Sequence, residues 1–353
     1  MTVDEERLEQ FMGTMVGYMT GTALCFSIWL GDELGLYRTM AGNGGMSVDD
    51  VASESKCNPR LIREWLDAQA AGGLVSYDAA NDTYELGEEA AMALADDQSP
   101  AFVARAMNAF GSMFIDMEKV REAFRGDGGL SWKDHHPCLF SGTEWFFRTG
   151  YRAMLATAWI PALDGVTEKL EQGARVADVG CGHGASVVVM ADAFPNSTFT
   201  GFDFHEPSIA TARKRAADAG VADRTRFEVA TAKDYPGTYD LICFFDCLHD
   251  MGDPVGIARY ARDHLEPDGT VLLVEPFAID GRAKNMTENP MAALLYAASS
   301  SICTPNSLSQ EVGLGLGAQA GEERLRRVFE EAGFTHFRRA TETPLNMILE
   351  AKA

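Results

Sequence analysis

Val176-Ala-Asp-Val-Gly-Cys-Gly-His-Gly184 is the stretch whose reading decides the fold. Apolar residues lead into it from Arg175 as a short strand, and Ser186–Ala193 leaves it as a helix. Gly180, Gly182 and Gly184 carry no Cβ, so the backbone can bend sharply there and a ligand can come close. The following helix directs its free N–H groups at the same place. Asp203 falls 19 residues past Gly184, at the end of the next strand. A carboxylate there can accept both hydroxyls of a ribose, outside the carboxyl ends of an open α/β sheet.

Downstream, short apolar runs alternate with helical stretches: Thr198–Asp203, Pro207–Ala219, Thr225–Val229, Tyr239–Phe245, Pro254–Leu265 and Thr270–Val274. This alternation predicts a parallel sheet with helices on both faces. A Ser- and Gly-rich segment, 283–320, interrupts it. A helix over Glu322–Ala332 and strands over Thr335–Ala340 and Asn346–Ala351 follow.

Upstream the texture differs. The first 40 residues are apolar, rich in Met and Gly, and read as helical. Ser47 is placed to cap a short amphipathic helix. Asn58-Pro59 starts a second helix whose apolar residues Leu61, Ile62, Trp65, Leu66 and Ala70 recur at helical spacing. Leu74–Tyr77 and Thr83–Leu86 read as a hairpin across a turn at Asp78–Asp82. Helix, helix, hairpin is the order of a winged helix. Residues 99–170 read as mostly helical and aromatic-rich, with Gly126–Gly129 as a break. The expected domains are therefore 1–98, a helical linker over 99–170, and an α/β domain over 171–353.

A chain of 353 residues suits two domains of about 100–200 residues each. Asp and Glu outnumber Lys and Arg 52 to 30, a net charge of −22, which argues against general binding to nucleic acid or anionic membranes. Seven scattered cysteines, an odd number, read as reduced thiols rather than a disulfide framework. The acidic Met1–Gln10 lacks the order of a signal peptide, and no apolar stretch looks close to the roughly 20 residues that span a bilayer. These features predict a soluble cytoplasmic protein.

Two ligand classes compete for the glycine turn. Gly180, Gly182 and Ala185 loosely fit a dinucleotide fingerprint. Asp178, however, would repel a pyrophosphate and attract a ligand bearing an amine cation and a sulfonium. Val176–Gly184 in fact resembles the first motif of class I S-adenosylmethionine methyltransferases, and Gly201-Phe-Asp-Phe204 their second. Tyr239–Ile242 and Leu265–Val274 are similar to the family's fourth and fifth strands. The resemblance covers 170–353 and, with the winged helix, extends to small-molecule O-methyltransferases that dimerise through that domain.

It implies a Rossmann-like sheet of seven mostly parallel strands behind a mainly α winged-helix domain, with S-adenosylmethionine as cofactor. Asp178, Gly180, Gly182 and Gly184 would hold the methionine end, Asp203 the ribose, and Phe204 a face of the adenine. Thr231, Ala232 and Lys233 would edge the adenine, with Phe245 beside the cofactor. An acidic residue usual in the family at the 231–233 position is missing, which leaves the adenine amine to backbone groups or to Asp234. His249-Asp-Met-Gly-Asp253 is similar to the segment whose His is the family's general base, and Glu275 to the carboxylate that orients it. A His suits that work near neutral pH. Positioning alone also drives methyl transfer, since the sulfonium is already activated.

Residues Phe110, Phe114, Trp145, Phe146, Phe147, Tyr151 and Trp159 read first as a helical core stripe. The family places such helices over a substrate pocket; Met286–Ile302 is a second candidate lid. The acceptor is expected to be a small apolar or aromatic molecule. Cys243, Cys247 and His249, and likewise His135, His136 and Cys138, lack zinc spacing, so no metal is expected. The rival function is a winged-helix regulator that binds DNA. Its recognition helix, Arg60–Ala71, mixes Arg60 and Arg63 with Glu64 and Asp67, whereas DNA-reading helices need a clear basic excess.

Overall fold

A computed structural model describes residues 3–126 and 128–353. Met1 and Thr2 of the acidic start, and Asp127 within the expected break at Gly126–Gly129, lie outside the described residues. The chain divides into two compact units, Met1–Gly111 with Ser141–Thr149, and Ser112–Phe140 with Gly150–Ala353.

In the first unit, helix α1 (Glu5–Glu33) starts where the Asp4 side chain accepts the Arg7 N–H at 3.1 Å. Helix α2 (Leu36–Met40) follows, then α3 (Val48–Ser55), closed by a reciprocal cap between Ser47 and Asp50. Helix α4 (Pro59–Ala71) has Asn58 as its cap and Pro59 in its first turn. Strands β1 (Ser76–Asp78) and β2 (Thr83–Glu85) pair antiparallel, and an isolated bridge joins Met46 to Tyr84. Helix α5 (Glu88–Leu94) completes the winged helix. Its core gathers Leu36, Tyr37, Met40, Val51, Ile62 and Leu66.

Only the end of α1 is anchored there. Trp65 Nε1 donates to the Ser27 carbonyl at 3.0 Å, Gln69 to the Ser27 hydroxyl at 2.7 Å, and buried Asp32 pairs with Arg38 and Arg105. A Cβ on Gly31 would sit 2.6 Å from the Trp65 ring, so that contact requires glycine. Before it, Leu8, Phe11, Met12, Met15, Val16, Tyr18 and Met19 are exposed. By length and composition α1 is apolar enough to cross a membrane. The expectation that no stretch approaches a bilayer span is thereby corrected; interspersed Gly, Thr and Met had masked a continuous apolar helix. On α4, Arg60 pairs with Glu64 at 2.5 Å and Arg63 with Asp82 at 3.5 Å.

Helix α6 (Met107–Ile115) crosses in sequence from the first unit to the second. Then come α7 (Met117–Arg125), α8 (Pro137–Gly150), a π-helical stretch over Tyr151–Trp159, and α9 (Val166–Gln172). The α/β part runs β3 (Arg175–Val179), α10 (Ala185–Ala193), β4 (Thr198–Asp203), α11 (Glu206–Asp218), β5 (Thr225–Val229), β6 (Tyr239–Phe245), α12 (Pro254–Asp263) and β7 (Leu265–Pro276). Helices α13 (Arg282–Glu288), α14 (Ala292–Ala298) and α15 (Thr304–Leu308) follow, with a π-helical turn at Ser299–Cys303. Helix α16 (Glu322–Glu331), β8 (His336–Glu342) and β9 (Asn346–Lys352) close the unit.

The sheet order is β5-β4-β3-β6-β7-β9-β8, with only β9 reversed. Register places Asp178 between Gly201 and Cys243, so the ends of β3, β4 and β6 lie level. Val179, Phe202, Ile242, Phe244, Leu273 and Phe329 fill the core beneath. Segment 283–320, expected as a Ser- and Gly-rich insertion, is largely helical up to Leu308. Serine does not break it, because Ser300 and Ser301 bond back to the Ala297 carbonyl at 2.9 and 3.1 Å.

Candidate functional site

The parallel strands deliver five loops to one edge of the sheet, and the expected cofactor and catalytic residues fall there. Gly180, Gly182 and Gly184 all have positive φ, at 81°, 50° and 72°. Their surroundings separate them. A Cβ at 180 would lie 3.0 Å from Cys247 Sγ, and one at 184 would lie 2.7 Å from the Phe227 ring. A Cβ at 182 would meet nothing within 4 Å. Gly184 is therefore required by packing, Gly180 is tightly enclosed by side chains, and Gly182 borders open space. The Gly180 and Cys181 N–H groups both donate to the Phe202 carbonyl, and Gly182 N–H donates to Asp203 Oδ2 at 2.9 Å. The His205 N–H takes Asp203 Oδ1 at 2.8 Å. Asp203 thus shapes the turn as well as facing the edge.

Asp178 is 1% exposed. Its Oδ2 accepts from Ser186, while Oδ1 is buried with no partner. Burial pushes this carboxyl up to about 7, against the Ser186 hydrogen bond, and the Asp203 charge adds to the rise. An orphaned carboxylate oxygen inside a glycine turn fits a cationic amine and not a phosphate. Phe204 is 47% exposed, as a platform for a planar ring would be. Thr231 and Lys233 are exposed, and Ala232 packs against the core. The Asp234 carboxylate is engaged by the Thr231 N–H at 2.5 Å, and Lys233 Nζ by Asp253 at 2.9 Å. Asp234 therefore braces its own turn.

Across the edge, buried His249 follows β6 and buried Glu275 lies near the end of β7. His249 Nδ1 lies 2.6 Å from Glu275 Oε2, and its backbone N–H donates to Oε1 at 3.3 Å. Burial alone would lower the imidazole pKa. The Glu275 charge, with hydrogen bonding to Cys303, outweighs burial and raises it well above the usual value. Titration near neutrality, expected from an unperturbed His, is thus moved upward. With Nδ1 tied to Glu275, the bond to Cys303 falls to Nε2. Phe245 is buried with its ring centroid 5.3 Å from that of Tyr151.

Residues 170–333 match the family described as "Methyltransferase domain", and residues 21–96 that described as "Rv2258c-like winged HTH domain". The chain carries a methyltransferase domain. A curated relative, 27-O-demethylrifamycin SV methyltransferase of Amycolatopsis mediterranei, is 35% identical over 107 residues, which cover 30% of this chain and 39% of that one. The chain spans well under half the length of the curated relatives it matches. Among solved structures, a putative O-methyltransferase from Nostoc punctiforme superposes with a TM-score of 0.72 at 20% identity, covering 99% of each chain. Human N-acetylserotonin methyltransferase, solved in complex with S-adenosylmethionine, does so at 0.71 and 17% identity, covering 97% of each. At those identities the likeness establishes the fold.

The methyltransferase domain also assembles residues the sequence did not single out for the site. Asp246, with φ 52°, accepts Tyr151 OH at 3.2 Å and Asn346 Nδ2 at 2.6 Å. Burial, then the charge of Glu275, raises its carboxyl well above the ordinary range. Tyr151, read only as part of an aromatic stripe, is thus tied to the loop before His249, while Trp159 is core and Phe114 is exposed. Away from this edge, Asp164, His336 and Glu350 bring possible ligand atoms within 4.8 Å of one another. Glu350 there is already neutralised by Arg338 and Lys352.

Proposed function

We propose that this chain transfers the methyl group of S-adenosylmethionine to a hydroxyl of a small apolar or aromatic acceptor. The observation that carries the reading is the unpartnered Asp178 oxygen within the glycine turn. The cofactor, when bound, supplies an electrophilic methyl on sulfonium sulfur. Asp178 would take its ammonium, the space beside Gly182 its methionine end, Asp203 its ribose and Phe204 one face of its adenine. Thr231, Ala232 and Lys233 would edge the base through backbone groups, and Phe245 would close the inner wall.

Transfer of that methyl to the acceptor oxygen would leave the carbon–sulfur electron pair on sulfur and free the hydroxyl proton. The hydroxyl proton passes to His249 Nε2, and Glu275 holds the resulting imidazolium. General-base help of this kind is typically worth about 10²–10⁴ in rate.

In this reading residues 1–98 form a dimerisation domain, and 99–170 and 283–320 cover the acceptor. The exposed apolar face of α1 suits a second copy of the chain. Gly13, Gly17 and Gly21 have open space around them at four-residue spacing, which lets two helices approach closely. The regulator reading loses its contacts, since Arg60 and Arg63 are paired with acids. Calorimetry tests the proposal: S-adenosylhomocysteine should bind and NAD should not. Binding of NAD in preference overturns it.

A further inference from the structure

A second histidine in the α/β unit is left with an unmet demand. His135 is buried, and its Nδ1 lies 3.1 Å from Asp116 Oδ2, an oxygen that also accepts the His136 N–H at 2.7 Å. Asp116 Oδ1 takes Lys119 at 2.8 Å. Burial lowers the His135 pKa against the pull of Asp116, so the ring is neutral at physiological pH. A neutral ring that donates Nδ1–H to a carboxylate has a bare lone pair on Nε2. That Nε2 is buried and has no partner. Because Asp116 holds Nδ1, Nε2 faces away from the carboxylate. An orphaned acceptor of this kind is costly unless a donor arrives.

The position of the segment indicates where that donor comes from. Trp132 lies edge-on to His135 and to Phe140, and Phe140 stacks on His205 at 4.6 Å, two residues after Asp203. At its other end, Leu130 N–H donates to the Pro305 carbonyl at 2.9 Å and Trp132 N–H to Asn306 Oδ1 at 2.9 Å. Asn306 in turn donates to the carbonyl of Asp250, next to His249. Residues 130–140 therefore lie across the carboxyl edge, between the Asp203 loop and the His249 loop.

We propose that Asp116 and His135 form an acceptor-recognition dyad, in which His135 Nε2 takes a hydrogen bond from a second hydroxyl of an aromatic acceptor flanked by Trp132 and Phe140. The inference rests on the methyltransferase reading above and adds a substrate class, ortho- or otherwise polyhydroxylated aromatics. Asp116 acts through His135 by fixing its tautomer, and is a positioning residue.

The test uses the full-length protein saturated with S-adenosylhomocysteine, titrated with catechol and with phenol, which has the same ring and lacks only the second donor. The wild type should prefer catechol by about tenfold, the worth of one net hydrogen bond. His135→Phe should erase that preference while leaving phenol binding unchanged. His135→Gln, which keeps an acceptor at similar reach, should retain most of it. Asp116→Asn should weaken it. S-adenosylhomocysteine should bind equally to all four proteins. Failure of the wild type to bind S-adenosylhomocysteine would sink the methyltransferase reading itself. Normal binding of it, with no catechol preference in the wild type or the same preference in His135→Phe, overturns the dyad. The latter result would assign Nε2 to a buried water. If His135→Phe does not fold, loss of the preference in Asp116→Asn alongside its retention in His135→Gln carries the test.

Discussion

On the proposed reading, with Asp178 taking the cofactor ammonium, cofactor binding is a titration. The Asp178 carboxyl is pushed up to about 7 by burial, and a cationic amine requires it ionised. At pH 6 about one molecule in eleven has the carboxylate, and at pH 8 about ten in eleven, from a one-unit displacement either side of the pKa. Affinity for S-adenosylhomocysteine should therefore rise about tenfold between pH 6 and pH 8, or ~1.4 kcal/mol, and level off above. The sign follows from the raised pKa: protons compete with the ligand below 7, and binding there releases one proton. Calorimetry in buffers of different ionisation enthalpy reads that proton directly. Asp178→Asn should bind more weakly, by about 1.5–3 kcal/mol for loss of a charged hydrogen-bond partner. Its affinity should also be flat across this range. Asp250, which burial likewise pushes to about 7, is present in both proteins and cancels in the comparison. A wild-type affinity independent of pH, or an equal slope in Asp178→Asn, refutes the reasoning.

His249→Ala should lower turnover of an accepted phenol by about 10²–10⁴ while S-adenosylhomocysteine affinity is kept; equal rates in a radiolabel assay would leave positioning alone as the catalyst. The wild-type rate should rise with pH along a limb lying above the usual His value, since the base form appears only as the raised pKa is crossed. Glu275→Gln should move that limb to lower pH, because the charge that lifts His249 is gone and burial remains; an unmoved limb in the pH–rate profile rules this out. Gly184→Ala should lower the melting temperature, its Cβ falling 2.7 Å from Phe227, whereas Gly182→Ala should reduce cofactor affinity with a much smaller loss of stability. Deleting residues 1–33 should change the assembly state seen by light scattering, and an unchanged mass would remove α1 from the interface.

The α/β unit was legible where local chemistry and burial agree. Strands β3, β4, β5 and β6 fall on the residues read from the sequence, β3 and β6 as nearly continuous buried apolar runs and β4 and edge strand β5 as apolar residues alternating with polar ones. The caps at Ser47 and Asn58 were equally local. Strand β7 begins at Leu265 rather than Thr270. Glu266–Gly269 has turn composition, yet the pairing shifts register between Tyr239 and Leu241 and accommodates it. The glycine turn, Asp203 and the His249–Glu275 pair could be found because motif spacing fixes them. Tyr151 and Asn346 could not be placed beside Asp246: they lie 95 and 100 residues from it, and a non-glycine φ of 52° has no pattern in the sequence. His135 gave only a negative signal, a histidine without zinc spacing, since its pairing with Asp116 depends on tertiary burial.

Helix α1 leaves the chain with a thermodynamic debt that its own folding does not settle. Phe11, Met15, Tyr18 and Met19 remain in water after the winged-helix core has closed. If a second copy covers that face, the stability of the native form is not a property of one molecule but a function of how many are present. The melting temperature would then rise with protein concentration, and dilution would return the apolar face of α1 to water while the core beneath it stays packed.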